Sequence, residues 1–288
     1  MKKQEHTWII GCGDIGRRVA KLYQNKTIYG IVSSTQSVDK CELLSIKSER
    51  LDLDSDYSLE ETKFTESSIY YFTPPQPAGV EDSRLKHFLQ SLDNIKTTPK
   101  RFVLISTTGV YGDSAGKWID ENTPINPQAD RAIRRASAEQ ILQSWADKNN
   151  CETMILRVPG IYAEDRLPLE RLKKGLPIVN ADEAGFTNRI HADDLANACK
   201  AAMECDSHNH IINVTDGNPS TMTDYFNHVA DYAKLPRPPQ ISLQEAEQTL
   251  STGMVSYLKE SRRIRNEKML DVLDIKLEYP NLASSLKL

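Results

Sequence analysis

Short apolar runs alternate with stretches whose apolar positions recur at helical spacing through the first two thirds of the chain. The runs are His6–Ile10, Thr27–Ser33, Ser67–Thr73, Arg101–Ser106, Glu152–Val158 and His210–Val214. Between the first two, Ile15, Val19, Leu22 and Tyr23 fall on one face of an amphipathic helix. A second helix, from about Ala129 to Lys148, puts Ile133, Ile141, Leu142 and Trp145 on one face and carries three arginines early. Strands alternating with helices argue for parallel strands joined by crossover helices, hence an α/β fold. Beyond about residue 163 the pattern loosens into a short helix near Leu167–Lys174, a loop with Gly175 and Gly185, a helix at Ala192–Glu204 and another at Thr223–Lys234, which the prolines 236, 238 and 239 end. This part reads as a small lobe covering the sheet edge.

Composition narrows the classes. With 288 residues and 39% hydrophobic content the chain can bury one large core and an appended lobe. A net charge of −4 gives no general attraction to nucleic acid or anionic lipid, so anion binding has to be local. No run is long enough for a membrane span, and the start lacks the features of an export signal, so the expected location is the cytoplasm. The five cysteines (12, 41, 151, 199 and 205) show neither CxxC spacing nor histidine partners at zinc-finger distance, so no metal site or disulfide framework is expected.

The chemistry concentrates first at Gly11-Cys12-Gly13-Asp14-Ile15-Gly16, between the first strand and the first helix. A helix opening there leaves unpaired N–H groups and partial positive charge facing outward, a seat for a pyrophosphate. Gly11 permits the sharp turn, Gly13 keeps side-chain bulk away from the phosphates, and Gly16 lets helix and strand pack closely. This predicts a Rossmann-type doubly wound parallel sheet holding NAD(P) over residues 1–162, with a smaller α/β substrate lobe over 163–288 interleaved with that core. After the second strand the chain reads Ser33-Ser34-Thr35, with no acid to bind a ribose 2′-hydroxyl; those hydroxyls and Arg17 favour NADP over NAD, with NAD kept open. Cys12, at a helix N-terminus, is either an activated thiol or a small side chain that fits.

Several further stretches resemble the extended short-chain dehydrogenase/reductase family, the group of UDP-galactose 4-epimerase and the nucleotide-sugar dehydratases. They are Asp52-Leu53-Asp54, Ser106-Thr107-Thr108-Gly109-Val110-Tyr111-Gly112, Glu121-Asn122-Thr123-Pro124, Leu156 to Tyr162, Arg189 to Ala196, and Ile212-Asn213-Val214. The resemblance implies cofactor contacts at Asp52, Leu53, Thr73, Pro74 and Pro75, and a substrate hydroxyl partner at Thr107 beside Thr108. The family's catalytic Tyr and Lys fall on Arg131 and Arg135, which do not match; no tyrosine lies between Tyr111 and Tyr162. A guanidinium stays protonated, so Arg131 cannot relay a proton, although it can bind an anion or polarise an oxygen. The chain therefore resembles an atypical branch of epimerase-like proteins. Arg131 and Arg135, four apart, with Arg134 beside them, make either a two-pronged anion site or a solvated stripe. Tyr111, His191 and Asp130 are the remaining proton carriers to consider.

In the resembling enzymes the lobe holds the substrate, and Arg189 takes the position of an arginine near substrate phosphate. Two basic groups, Arg171-Lys173-Lys174 and Arg262-Arg263-Arg265, are further candidates or merely solvated faces. The expected function is an NAD(P)-dependent oxidoreductase or epimerase-like enzyme on a polar, anionic small molecule such as a nucleotide-sugar derivative. The alternative is a catalytically silent NAD(P)-binding sensor or partner-binding protein. No nucleic-acid or membrane partner is expected, and the resemblance allows a homodimer.

Overall fold

The computed structural model describes residues 6–286 except 25 and 251. Seven strands form the central sheet: β1 (Thr7–Ile10), β2 (Ile28–Val32), β3 (Lys47–Arg50), β4 (Ser68–Tyr71), β5 (Arg101–Thr107), β6 (Glu152–Val158) and β7 (His210–Asn213). Their order across the sheet is β7-β6-β5-β4-β1-β2-β3, every neighbouring pair parallel. The chain starts at β1, winds out to β3, then returns past β1 and winds the other way from β4. This reversal is the mark of a doubly wound sheet, and it leaves a crevice at the ends of β1 and β4.

Strand residues alternate between two cores, which is why the runs read as continuously apolar. Ile9, Tyr70, Val103 and Met154 face one side, where α1 (Asp14–Lys21) and α5 (Ala192–Glu204) pack. Trp8, Ile69, Phe102 and Leu104 face the other, against α3 (Ser83–Asn94) and α4 (Asp130–Asn149). Between β2 and β3 lies α2 (Thr35–Glu42), capped by the Ser34 hydroxyl, which accepts from the Ser37 amide. The pattern alone did not select β3, because an edge strand reading Lys-Ser-Glu-Arg has no apolar run; α2 and α3 were likewise not singled out. The helix expected over 223–234 spans Met222–Tyr232 (α6), and Lys234, at φ 54°, takes the left-handed turn that follows it.

The second half does not stand apart. β7 and α5 complete the central sheet and its cover, while Leu172, Ile178, Phe226 and Val229 build a small cluster of their own. Two parallel two-strand ladders, Gly160–Tyr162 with Arg189–His191 and Ile178–Val179 with Gln240–Ile241, carry the chain between these parts. A helix at Thr252–Leu258 (α7) lies near the end of the chain. Among the described residues no helix is long and apolar enough to cross a membrane.

Candidate active site

The glycine loop sits where the strand order reverses. Gly11 has φ 84°, and a Cβ there would lie 2.6 Å from the Thr73 amide, so both backbone conformation and the close approach of β4 demand glycine. A Cβ on Gly16 would lie 2.9 Å from Ile9 Cγ2, where α1 crosses β1. Gly13 is exposed and a Cβ there would meet nothing nearer than 3.9 Å, so the loop's outer surface is open. The first-turn N–H groups of α1 have no intrahelical acceptors and face this opening. A cleft of 310 Å³ runs from the loop along Ser33, Asp52, Leu53 and Thr73 to Pro74. This lining joins the glycine loop to the hydroxyls of Ser33 and Thr73 and to the apolar Ile31, Leu53 and Pro74.

Not every residue expected near a cofactor lines this cleft. Ser34 is turned to capping α2 and Thr35 is an exposed first-turn residue of that helix. Arg17 is half-buried and reaches back to the Cys12 carbonyl at 3.4 Å. The cation in the cleft wall is Arg84, which sequence reasoning missed; it pairs with Asp54 and donates to the Pro74 carbonyl at 2.9 Å. Asp14 is engaged sideways: burial pushes its carboxyl up, but Arg166 at 2.6 Å and Arg18 outweigh that and hold it below the usual carboxylate range. Ile15 is buried in the core under the sheet. Of the two readings of Cys12, the small side chain that fits is the one the structure favours, because burial and the adjacent Cys41 push its thiol up. Its Cβ would lie 3.1 Å from a Cβ on Gly30, so the side chain fills the space that this glycine leaves.

A second cavity, 490 Å³, opens at the ends of β5 and β6, with Pro74 in its wall as well. Thr107 and Thr108 stand at its floor. The Thr107 Oγ1 accepts from the Gly109 amide at 3.2 Å, which leaves its proton free to be donated into the cavity. From α4 come Arg131, Arg134 and Arg135, all three in the wall, as the spacing of three and four allows. Arg189 enters from the lobe side, buried, donating to Ser220 Oγ at 2.8 Å and lying over the Tyr225 ring at 4.4 Å. Its surroundings strip it of water, and burial pushes its guanidinium down.

Other expectations fall elsewhere. Tyr111 does not line the cavity: its ring is buried, its hydroxyl donates to Asn213 Oδ1 at 2.9 Å, and Arg157 lies over it at 4.8 Å. His191 caps α5 through Nδ1, which accepts from the Asp193 amide at 3.2 Å. Of the two basic groups of the lobe, only Arg262 reaches the cavity wall, paired with Glu260 at 2.7 Å. Arg171 donates to the Pro177 carbonyl and lies over Phe226, while Lys173 pairs with Glu170 on the surface. Sequence reasoning missed α7, whose Ser256 accepts from Arg131 at 2.8 Å and whose half-exposed Tyr257 ring lies 3.6 Å from the Arg131 guanidinium. A contact across 125 residues leaves no local signal. Among the described residues no cluster of metal-ligating side chains occurs.

Residues 75–215 match the model of the NAD dependent epimerase/dehydratase family. A dTDP-D-glucose 4,6-dehydratase from Homo sapiens is 29% identical over 80 residues, 28% of this chain and 23% of that one, so the match spans less than a quarter of that curated relative's length. Two solved structures align over nearly the whole chain. One is a conserved protein of unknown function from Silicibacter pomeroyi, with TM-score 0.84 and 26% identity over 98% of this chain and 97% of that one. The other is UDP-glucuronic acid 4-epimerase from Bacillus cereus in complex with NAD, with TM-score 0.77 and 16% identity over 98% and 96%. The resemblance read from the sequence motifs therefore holds in the family match and in the fold.

Proposed function

We propose that this relative of the NAD dependent epimerase/dehydratase family is an NAD(P)-dependent oxidoreductase or epimerase-like enzyme acting on a polar, anionic small molecule, a nucleotide-sugar derivative being the leading class. One observation carries the reading: the open glycine cradle and the arginine-walled cavity meet at Pro74, so a dinucleotide seated on the first leads into the second. Gly11, Gly13 and Gly16 would hold the pyrophosphate against main-chain amides, with Ser33, Asp52, Leu53, Thr73 and Pro74 along the adenosine half. NADP is the favoured form, because Ser33, directly after β2, stands where an NAD-selective site places an acid to bind the ribose 2′-hydroxyl. When bound, a nicotinamide ring supplies hydride exchange with a carbon of the substrate.

The chain's own residues would position and polarise. Thr107 can donate to a substrate oxygen. Arg131, standing where the family places its catalytic tyrosine, can polarise such an oxygen but cannot exchange a proton with it. Proton movement then falls to solvent, to the substrate's own ionisable group, or to a phenol brought by another segment; Tyr257 is the phenol in the wall beside Arg131. A fluorescence titration with NADPH and NADH, followed by turnover assays against UDP-sugars, tests the reading. Tight binding with NADPH ahead of NADH is expected, and no binding of either removes the proposal. Tight binding with no turnover on any substrate favours the silent sensor instead.

A further inference from the structure

We infer that Arg131, Arg134 and Arg135 form an anion-binding subsite, and that the part of the ligand brought to the reacting end of the cavity carries a carboxylate or phosphate rather than being a neutral sugar ring. This rests on the proposed reading of the adjoining cleft as the cofactor seat.

Three guanidiniums leave one helix over little more than one turn and line the same cavity. Each has five N–H donors, yet what they reach is neutral: Ser256 Oγ at 2.8 Å for Arg131, the Gly79 carbonyl at 2.7 Å for Arg134, the Thr73 carbonyl at 3.4 Å for Arg135. Among the described residues no carboxylate lies within ion-pair distance of any of them. The one carboxylate in the wall, Glu260, is taken by Arg262. Asp82 and Glu139 act on Arg135 only from beyond that distance, and burial still pushes its guanidinium down.

An arginine cannot shed its proton to escape this, so the charges stay and the wall bears both their desolvation and their mutual repulsion. Such an arrangement is a fault in a purely structural wall and an asset in a site whose counter-ion arrives with the ligand. Planar forks three and four residues apart suit the two oxygens of a carboxylate or two of a phosphate. The cavity volume of 490 Å³ takes a small molecule and is too small for a nucleic-acid duplex.

Isothermal titration of the protein saturated with NAD⁺ or NADP⁺ tests the inference, using inorganic pyrophosphate and malonate with glucose as the neutral control. Both anions are expected to bind and glucose is not. UDP-glucuronic acid should bind at least about tenfold tighter than UDP-glucose, since the two differ only at sugar C6, where a carboxylate replaces a hydroxymethyl group. Arg131→Gln and Arg135→Gln should each weaken malonate by about tenfold or more, while Lys173→Gln, on the lobe surface, should not change it. A second readout is thermal: without ligand, Arg135→Gln should melt at or above the parent temperature, and a given malonate concentration should raise the parent's Tm by more than the variant's. Binding unchanged in both variants, UDP-glucose as tight as UDP-glucuronic acid, or a clear fall in Tm of the unliganded Arg135→Gln protein overturns the inference. So does anion binding that vanishes once cofactor is bound, which would assign the arginines to the cofactor's own phosphates. Failure of cofactor binding with malonate binding intact overturns the cofactor reading and leaves the subsite standing.

Discussion

The two halves of α4 treat arginine in opposite ways. Near its middle, Glu139 receives Arg157 from β6 at 2.7 Å, both side chains almost fully buried, and Ser106 donates to the same carboxylate at 2.5 Å. Burial lowers Arg157's guanidinium, but the Glu139 bond and charge outweigh it and the net push is upward. One turn nearer the N-terminus, Arg135 has only a distant carbonyl and the net push is downward. The same residue type on or against the same helix is thus neutralised where the sheet is being held together and left bare where a cavity opens. Paired burial serves the fold, whereas unpaired burial at the strand ends serves a ligand.

The largest expected effect breaks the compensated half. Glu139→Ala should strand a buried guanidinium and cost about 3–5 kcal/mol, enough to consume a large part of the stability of an ordinary domain. Urea denaturation of the variant beside Arg135→Gln sharpens the contrast: removing the partner of a paired charge should lower the midpoint strongly, and removing an unpaired charge should not. Equal losses in both variants would erase the distinction between the two halves.

A smaller effect lies within the same network. Ser106→Ala removes one donor to a charged acceptor and should cost about 1.5–3 kcal/mol by the same urea measurement. Because Arg157 remains on Glu139, the loss should stay below that of Glu139→Ala. A loss as large as that of Glu139→Ala would mean that the hydroxyl, not the ion pair, organises this half.

Between the glycine loop and the arginine cavity, the first was far more legible in the chain. Gly11 and Gly16 announce themselves because the turn and the helix crossing each demand glycine, and Gly13 stands between them on the open face of the loop. The strands were legible because residues such as Trp8, Ile9 and Ile10 feed two cores in alternation, so the run is apolar throughout. β3 was not, since an edge strand need bury little. The spacing of Arg131, Arg134 and Arg135 gave their shared face, but whether that face met water or a cavity depends on α7 and the lobe, more than 50 residues away in sequence. For the same reason Tyr257 and Arg84 went unnoticed and Tyr111 was expected in a site that it lies behind: its hydroxyl is held by Asn213, 102 residues on. Local pattern records what a residue's neighbours in sequence require and is silent on partners that only folding supplies.

Asp216 offers the finest test, because it is the carboxylate that acts more strongly, ahead of Asp224, on the other bare guanidinium, Arg189, and still fails to neutralise it. Burial raises the Asp216 carboxyl from 3.8 to about 7, against the opposing pull of its bond from the Asn218 amide and of Arg189's charge. The folded protein therefore holds a proton at this site between those two values that the unfolded chain has released. By linkage, stability falls as pH rises through that window, and the full penalty is present above about 7. Asparagine at 216 keeps the side-chain oxygen that Asn218 uses and does not titrate. The stability difference, Asp216→Asn minus parent, should thus grow in the variant's favour by about 2–3 kcal/mol from pH 5 to pH 8. Melting curves of both proteins across that range measure it. If the difference is flat with pH, Asp216 is ionised throughout, Arg189 has its counter-ion already, and the bare-charge description then applies to the α4 arginines alone.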